Sequence, residues 1–170
     1  PTISRRLVRS ARIRRPGSGS RSREFLDASA ILAYLHNEPG WQAVEPGILN
    51  AHAIPVNIAE VASKLIDRGV PLDDALSSIA ILKLTLLPFA AQEASETAWL
   101  RPLTQPRGLS LGGNHACLAS ARLHSMAGLA AARPWLEFAT ALQLDIHCMR
   151  TDSAAAGRRA QAGEGLSSTS

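Results

Sequence analysis

The sequence predicts one α/β domain in which a mostly parallel central sheet is flanked by helices. Three observations carry that prediction. Short apolar segments alternate with helical stripes of about ten residues, the order that parallel strands joined by crossovers require. The chain has 170 residues, 46% of them hydrophobic and 19% charged, which suits a single core of domain size. Its charge is segregated: residues 1–23 hold eight Arg and no acid, residues 24–150 hold eight basic and twelve acidic residues, and residues 151–170 hold two of each. The ends are rich in Arg, Ser, Gly and Ala and poor in large apolar residues, so disordered tails are expected at 1–23 and 151–170, with the fold in 24–150.

Each element has its own warrant. Glu24-Phe25-Leu26-Asp27 reads as the end of a strand, and ASAILAYLH as an apolar helix that Asn37 and Pro39-Gly40 terminate. The segment from Trp41 to Asn50 carries Pro46-Gly47 and is read as a short or broken helix. Ala53 to Val56 suits a buried strand. Asn57 reads as the N-cap of the next helix, whose stripe of Ile58, Val61, Ala62, Leu65 and Ile66 runs to Gly69. Pro71 to Leu82 is a helix with Asp73 and Asp74 in its opening turn, where the dipole favours negative charge. LTLLPF is a strand, Gln92 to Leu100 a helix, Pro102 to Gly113 a loop and His115 to His124 a helix. Met126 to Ala131 reads as a short buried strand, Pro134 to Leu142 as a helix with Pro in its first turn, and LDIHCM as an alternating final strand.

Several classes of function are disfavoured. The longest apolar run, Ile79 to Ala91, is interrupted by Lys83 and Pro88, so no membrane span is expected. Cys117 and Cys148 show neither CxxC nor Cys/His ligand spacing, which argues against a zinc site or a disulfide framework and makes a reducing cytoplasm the default. The five histidines form no ligand pair, and His115 is read as a core or surface residue or else a general base beside a cleft. The arginine tail could bind phosphates by counterion release, but no aromatic residue interleaves it, and its lack of acids and Arg/Ser content are better read as an organellar targeting segment or an over-extended start.

Ligands of open α/β folds bind at the carboxyl ends of strands, where strand order switches. That rule selects Asp27 after the first strand, Glu60 one turn into the helix after the second, Asn114 at the start of a later helix and Ala132 after the fourth strand candidate. Each has two readings. Asp27 suits a helix cap assisted by Ser29, or a metal ligand. Asn57-Ile58-Ala59-Glu60 has the spacing of a capping box, against which stands a metal-site role for Glu60. Asn114 is a good N-cap and a poor magnesium ligand.

Four segments taken in order, FLDASAILAYL, VNIAEVASKLIDRGV, GLSLGGNHACLASARL and AAARPW, resemble the successive motifs of PIN-domain ribonucleases, in particular the VapC toxins of VapBC toxin-antitoxin pairs. The resemblance covers roughly residues 24–150. It implies a PIN-like three-layer fold in which four acidic residues hold Mg²⁺ or Mn²⁺ and activate water for RNA hydrolysis. Asp27 matches the first acid and Glu60 the second, while the third and fourth positions hold Asn114 and Ala132. Asp27 and Glu60 are thus the expected metal ligands, with Asn114 orienting substrate or water. The resemblance also implies an RNA substrate, a small VapB-like antitoxin that inserts a helix and an extended tail into the cleft, and a homodimer.

The substitutions predict a weakened enzyme. A unit charge about 4 Å from another interacts by roughly 4 kcal/mol at an effective dielectric of 20, doubled for a divalent ion. A neutral hydrogen bond returns only about 0.5–1.5 kcal/mol. The alternatives are a PIN-like module that binds an antitoxin or RNA without cleaving it, and a remnant whose fold alone survives.

Overall fold

The computed structural model describes residues 23–107, 111–131 and 133–149. The tails expected to be disordered, Arg23 apart, and Ala132 lie outside the described residues.

Strand β1, Glu24–Leu26, turns at Asp27 into helix α1, Ala28–His36. Asn37 ends α1 in a left-handed conformation (φ 53°), its N–H donating back to the carbonyls of Ala33 and Tyr34. Two 3₁₀ turns, Trp41–Ala43 and Ile48–Asn50, fill the segment that Pro46-Gly47 breaks. Strand β2 is His52–Ala53 and helix α2 is Pro55–Asp67. Here the sequence reading is corrected. Pro55 takes the first helical turn, where its fixed φ suits the helix and its missing N–H is no loss, so α2 begins before Asn57 and Ile54 is its N-cap. Neither the Asn57 cap nor a capping box with Glu60 forms.

Helix α3, Leu72–Ala80, keeps Asp73 and Asp74 in its first turn, and strand β3 is Thr85–Leu86. Helix α4, Ala91–Thr104, runs past the expected stop and through Pro102. Pro102 lies on the exposed face of the helix, and past it Thr104 Oγ1 donates to the Leu100 carbonyl at 2.9 Å. Much of the expected loop is therefore helical: a 3₁₀ turn at Gln105–Arg107 and a π-helical turn at Leu111–His115 lead into α5, Ala116–Leu123. Strand β4 is Ala127–Ala130. A 3₁₀ segment, Arg133–Phe138, and the short helix α6, Ala139–Leu142, replace one continuous helix before β5, Ile146–Cys148.

The five strands pair in parallel in the order β3-β2-β1-β4-β5. Two apolar clusters cover the two faces, giving the PIN-like three-layer α/β architecture. Leu26 and Leu129 pack with Ile31, Val61, Leu65 and Ile79, while Phe25 and Ala130 pack with Leu100, Leu118, Trp135 and Phe138. Neighbouring residues of β1 and β4 enter opposite clusters, as the strand period of two requires. The weak strand former Gly128 has a packing reason: a Cβ there would lie 3.1 Å from Trp135 Cζ3, so its absence lets the fully buried indole lie on the sheet.

Gly40 provides a test of this frame. Its φ is +95° and a Cβ would overlap the Met149 carbonyl oxygen, a backbone atom that cannot swing aside. Gly40→Ala is expected to lose about 2–4 kcal/mol of stability, from left-handed strain and overlap together. Urea denaturation checks this, and a loss below about 1 kcal/mol would show that the segment after α1 is not fixed against β5.

Candidate functional site

The order of the strands switches at β1, whose neighbours β2 and β4 are reached by crossovers in opposite directions, and Asp27 stands at the carboxyl end of β1. Its N–H donates to the Leu129 carbonyl at 3.0 Å. Its carboxylate is held on both sides: Oδ2 accepts from Ser29 N at 3.1 Å and Ser29 Oγ at 2.6 Å, and Oδ1 accepts from Asn57 Nδ2 at 3.2 Å. Ser29 Oγ also accepts from Ala131 N at 3.0 Å, tying the ends of β1 and β4 together. The capping role of Asp27 is real. These three hydrogen bonds, with the Ala28 N–H also favouring the anion, engage most of the roughly four lone-pair sites of an ionised carboxylate, so a cation would have to share them.

Asp27 is 2% exposed, and burial raises its pKa against the hydrogen bonds from Ser29, Ala28 and Asn57 that favour the anion. Glu60, half-buried on α2, is also raised, first by burial and then by the charge of Asp27, with Lys64 acting in the opposite sense. The two acids therefore share one field. Cys117 on α5 feels it too: its buried thiol is pushed well above the usual range by burial and by the charges of Asp27 and Glu60. That makes it an unreactive back wall rather than a nucleophile.

The π-helical turn closes the site from a third side. A Cβ on Gly113 would overlap Glu60 Oε2 and lie 3.0 Å from Glu60 Cδ, so the Glu60 carboxylate rests against the bare backbone of this turn. Asn114 follows directly and is half-buried. The cap role expected for it is corrected, since the helical turn begins at Leu111 and places Asn114 inside the helix. His115 is fully buried with both ring nitrogens lacking a hydrogen-bond partner, and burial followed by the charge of Arg101 lowers its pKa. It is a neutral core residue, sealed from any cleft.

Asp27 and Glu60 are thus brought together, with Asn114 in the turn on which Glu60 leans. Asn57 is the site residue that the cap reading missed. It is fully buried and aimed at Asp27, and the signal was Pro55, whose place in the first turn puts Asn57 inside the helix. Among the described residues, no group of three or more His, Cys, Asp and Glu side chains is placed to hold a metal ion.

The donor set can still be tested against a hard divalent cation. The charge of Asp27 raises the cost of ionising Glu60, and Asn57 Oδ1 is a buried acceptor with no hydrogen-bond partner. Oxygen donors and excess negative charge are what Mg²⁺ or Mn²⁺ takes, and Mg²⁺ is commonly held by one or two carboxylates with retained water. The residues fit such an ion.

Gly113→Ala probes this geometry. The displaced atom is the tip of a half-buried side chain, so the change is expected to alter stability by less than about 1 kcal/mol. Moving the Glu60 carboxylate should nonetheless weaken Mg²⁺ binding several-fold in a thermal-shift titration. Unchanged affinity would mean that Glu60 does not contact the ion.

No protein-family model matches the sequence, and no curated protein matches it by sequence. Solved structures match the fold. One is a chain of the DNA-bound VapBC complex from Salmonella typhimurium, with a TM-score of 0.57 at 12% identity, covering 76% of this chain and 100% of that one. Another comes from VapBC2 of Rickettsia felis bound to a DNA fragment from its promoter, with a TM-score of 0.55 at 15% identity, covering 74% and 97%. A third comes from FitAB bound to the IR36 DNA fragment, with a TM-score of 0.52 at 17% identity, covering 74% and 94%. Similarity at this level establishes the fold.

Proposed function

We propose that the chain is a metal-dependent endoribonuclease of the VapC toxin type, weakened by the replacement of two acids. The observation that carries this reading is the shared field of Asp27 and Glu60 at the switch in strand order. Asp27 and Glu60 would hold Mg²⁺ or Mn²⁺. A bound divalent ion lowers the pKa of a water and offsets charge on the scissile phosphodiester. Asn57 and Ser29 fix the Asp27 carboxylate, so its orientation is set before substrate arrives. Gly113 gives Glu60 room at the rim, and Asn114 orients substrate or water with its amide.

The likeness to VapBC and FitAB structures supports a small VapB-like antitoxin as partner. The same reading includes a homodimer and a cytoplasmic location, both carried only by the resemblance of the sequence motifs to VapC toxins. Among the described residues no helix is long and apolar enough to cross a membrane. The deciding experiment combines RNA cleavage with thermal shift as Mg²⁺ or Mn²⁺ is raised to millimolar levels. Slow cleavage and a rising melting temperature are expected, and loss of both would remove the enzyme reading.

One observation favours a second reading, a non-cleaving module that grips an antitoxin or RNA. Asp27 is nearly sealed from solvent and already accepts three hydrogen bonds, while the third acid position is the neutral Asn114. RNA binding that persists unchanged in EDTA, with no cleavage in Mn²⁺, would select it.

A further inference from the structure

A second group of polar residues lies at the opposite end of the sheet, where β1, β2 and β3 begin. Arg23 immediately precedes β1, His52 opens β2 and Thr85 opens β3. Together with Leu49 and Asn50 they line a cavity of about 430 Å³ that contains no carboxylate. His52 is only 9% exposed, yet its Nδ1 is buried without a hydrogen-bond partner. With Nδ1 sealed from solvent, the His52 ring forms the inner wall of the cavity, where it senses an occupant without bonding it directly.

The charge at this end is not neutralised locally. Glu24, next to Arg23, turns away, its Oε1 3.4 Å from His147 Nδ1, and Gly47 lies against its other oxygen. Glu93 is engaged by the Ala90 N–H at 2.9 Å. Arg23 makes no ion pair among the described residues, and its charge reaches His52, whose pKa is lowered by burial, then by Arg23, and also by His124, against a backbone hydrogen bond at Asn50.

We propose that this cavity is an anion site that takes a phosphate group, with the Arg23 guanidinium holding its oxygens, Asn50 and Thr85 completing its hydrogen bonds and the buried His52 ring forming the inner wall. A planar cationic fork suits a tetrahedral oxyanion, and the amide and hydroxyl supply adaptable donors. The cavity is larger than one phosphate and has Leu49 on its wall, which leaves space for the sugar of a nucleotide. The site is independent of Asp27 and Glu60 and needs no metal.

The test is NMR of the His52 ring in the full chain, in EDTA, titrated with inorganic phosphate, adenosine monophosphate, a dinucleotide whose phosphate is a diester, and adenosine as the uncharged control. Saturable movement of the His52 signals by phosphate is expected, weakened about tenfold or more in Arg23→Gln. Arg23 precedes the first strand and is exposed, so this variant should fold; an unchanged melting temperature verifies it. Tighter binding of the monophosphate than of the dinucleotide assigns a free nucleotide or phosphate as the source, and the reverse assigns a nucleic-acid strand. Glu60→Gln, which removes a proposed metal ligand, should leave the phosphate titration within twofold of the unmodified chain. No movement of the His52 signals at about 10 mM phosphate, or equal movement in Arg23→Gln, would overturn the proposal.

Discussion

Asp27→Asn is expected to lose cation-supported RNA cleavage, by about a hundredfold or more, while melting no lower than the unmodified chain. The two effects have separate causes. Removing a full charge from the contact with a divalent ion gives up an interaction of roughly 8 kcal/mol gross at an effective dielectric of 20, and a modest fraction of that gives a hundredfold loss. Stability moves the other way because ionised Asp27 is a charge held in a buried place, as its raised pKa records. Asn in its place keeps an oxygen for Ser29 N and Oγ and presents an NH₂ to Asn57. Asn57 can then turn its amide, so that the unpartnered Oδ1 accepts that hydrogen bond. The turn exchanges one hydrogen bond for another, so the expected gain of about 1 kcal/mol, a rise of roughly 2–5 °C for a domain of this size, comes from no longer burying a charge at this position.

The pH dependence has the same origin and the same sign. Asp27 and Glu60 both carry pKa values raised above those of the unfolded chain, so the folded state binds more protons in the window between the two sets of values. Stability contributed by these groups therefore rises as pH falls through the folded values towards the ordinary carboxylate range near about 4, and is lost as pH rises again. Asp27→Asn should flatten that slope in a series of melting curves. A slope unchanged by the substitution, together with cleavage retained, would show that Asp27 is only a helix cap.

The positions of these acids were legible in the sequence because they follow from strand ends and helix starts. FLDAS gives an apolar pair and then a carboxylate, which places Asp27 at the end of a buried strand, and the stripe of Val61, Ala62 and Leu65 fixes the face opposite Glu60. The helix boundaries were less legible. Asn57 has the chemistry of a cap and sits before an apolar stripe, but Pro55 has a stronger claim to the first turn, and the tertiary hydrogen bond to Asp27 uses the asparagine amide instead. Likewise Gly112-Gly113-Asn114 looks like loop and cap. Packing against α2 and α4 holds it as a wide helical turn whose missing side chain at Gly113 accommodates Glu60. Such a contact between residues far apart in sequence leaves no local periodic trace. The buried strand Ala127–Ala130 was readable only as an apolar run, since its small residues are chosen by the bulk of Trp135 rather than by strand propensity.

The paired reversion Asn114→Asp with Ala132→Asp should produce the largest gain at the site. Asn114 belongs to the turn that carries the Glu60 carboxylate, and position 132 follows Ala131, whose N–H is bound to Ser29 Oγ beside Asp27. New carboxylates at both places would enlarge the negative field already felt by Glu60 and Cys117. Each charge about 4 Å from a divalent ion adds roughly 8 kcal/mol gross, most of it offset by desolvation and by repulsion among the acids. A net gain of about 1.4–3 kcal/mol for the pair corresponds to tenfold to hundredfold tighter Mg²⁺ binding. Without the ion the same charges repel, so the metal-free variant should melt lower than the unmodified chain and be rescued as Mg²⁺ is raised. Opposite movements of the melting temperature in EDTA and in Mg²⁺, with faster RNA cleavage, would distinguish restored coordination from a general change in packing. Equal Mg²⁺ affinity in the variant and the unmodified chain would mean that positions 114 and 132 do not face the ion, and that the two remaining acids never belonged to a larger cluster.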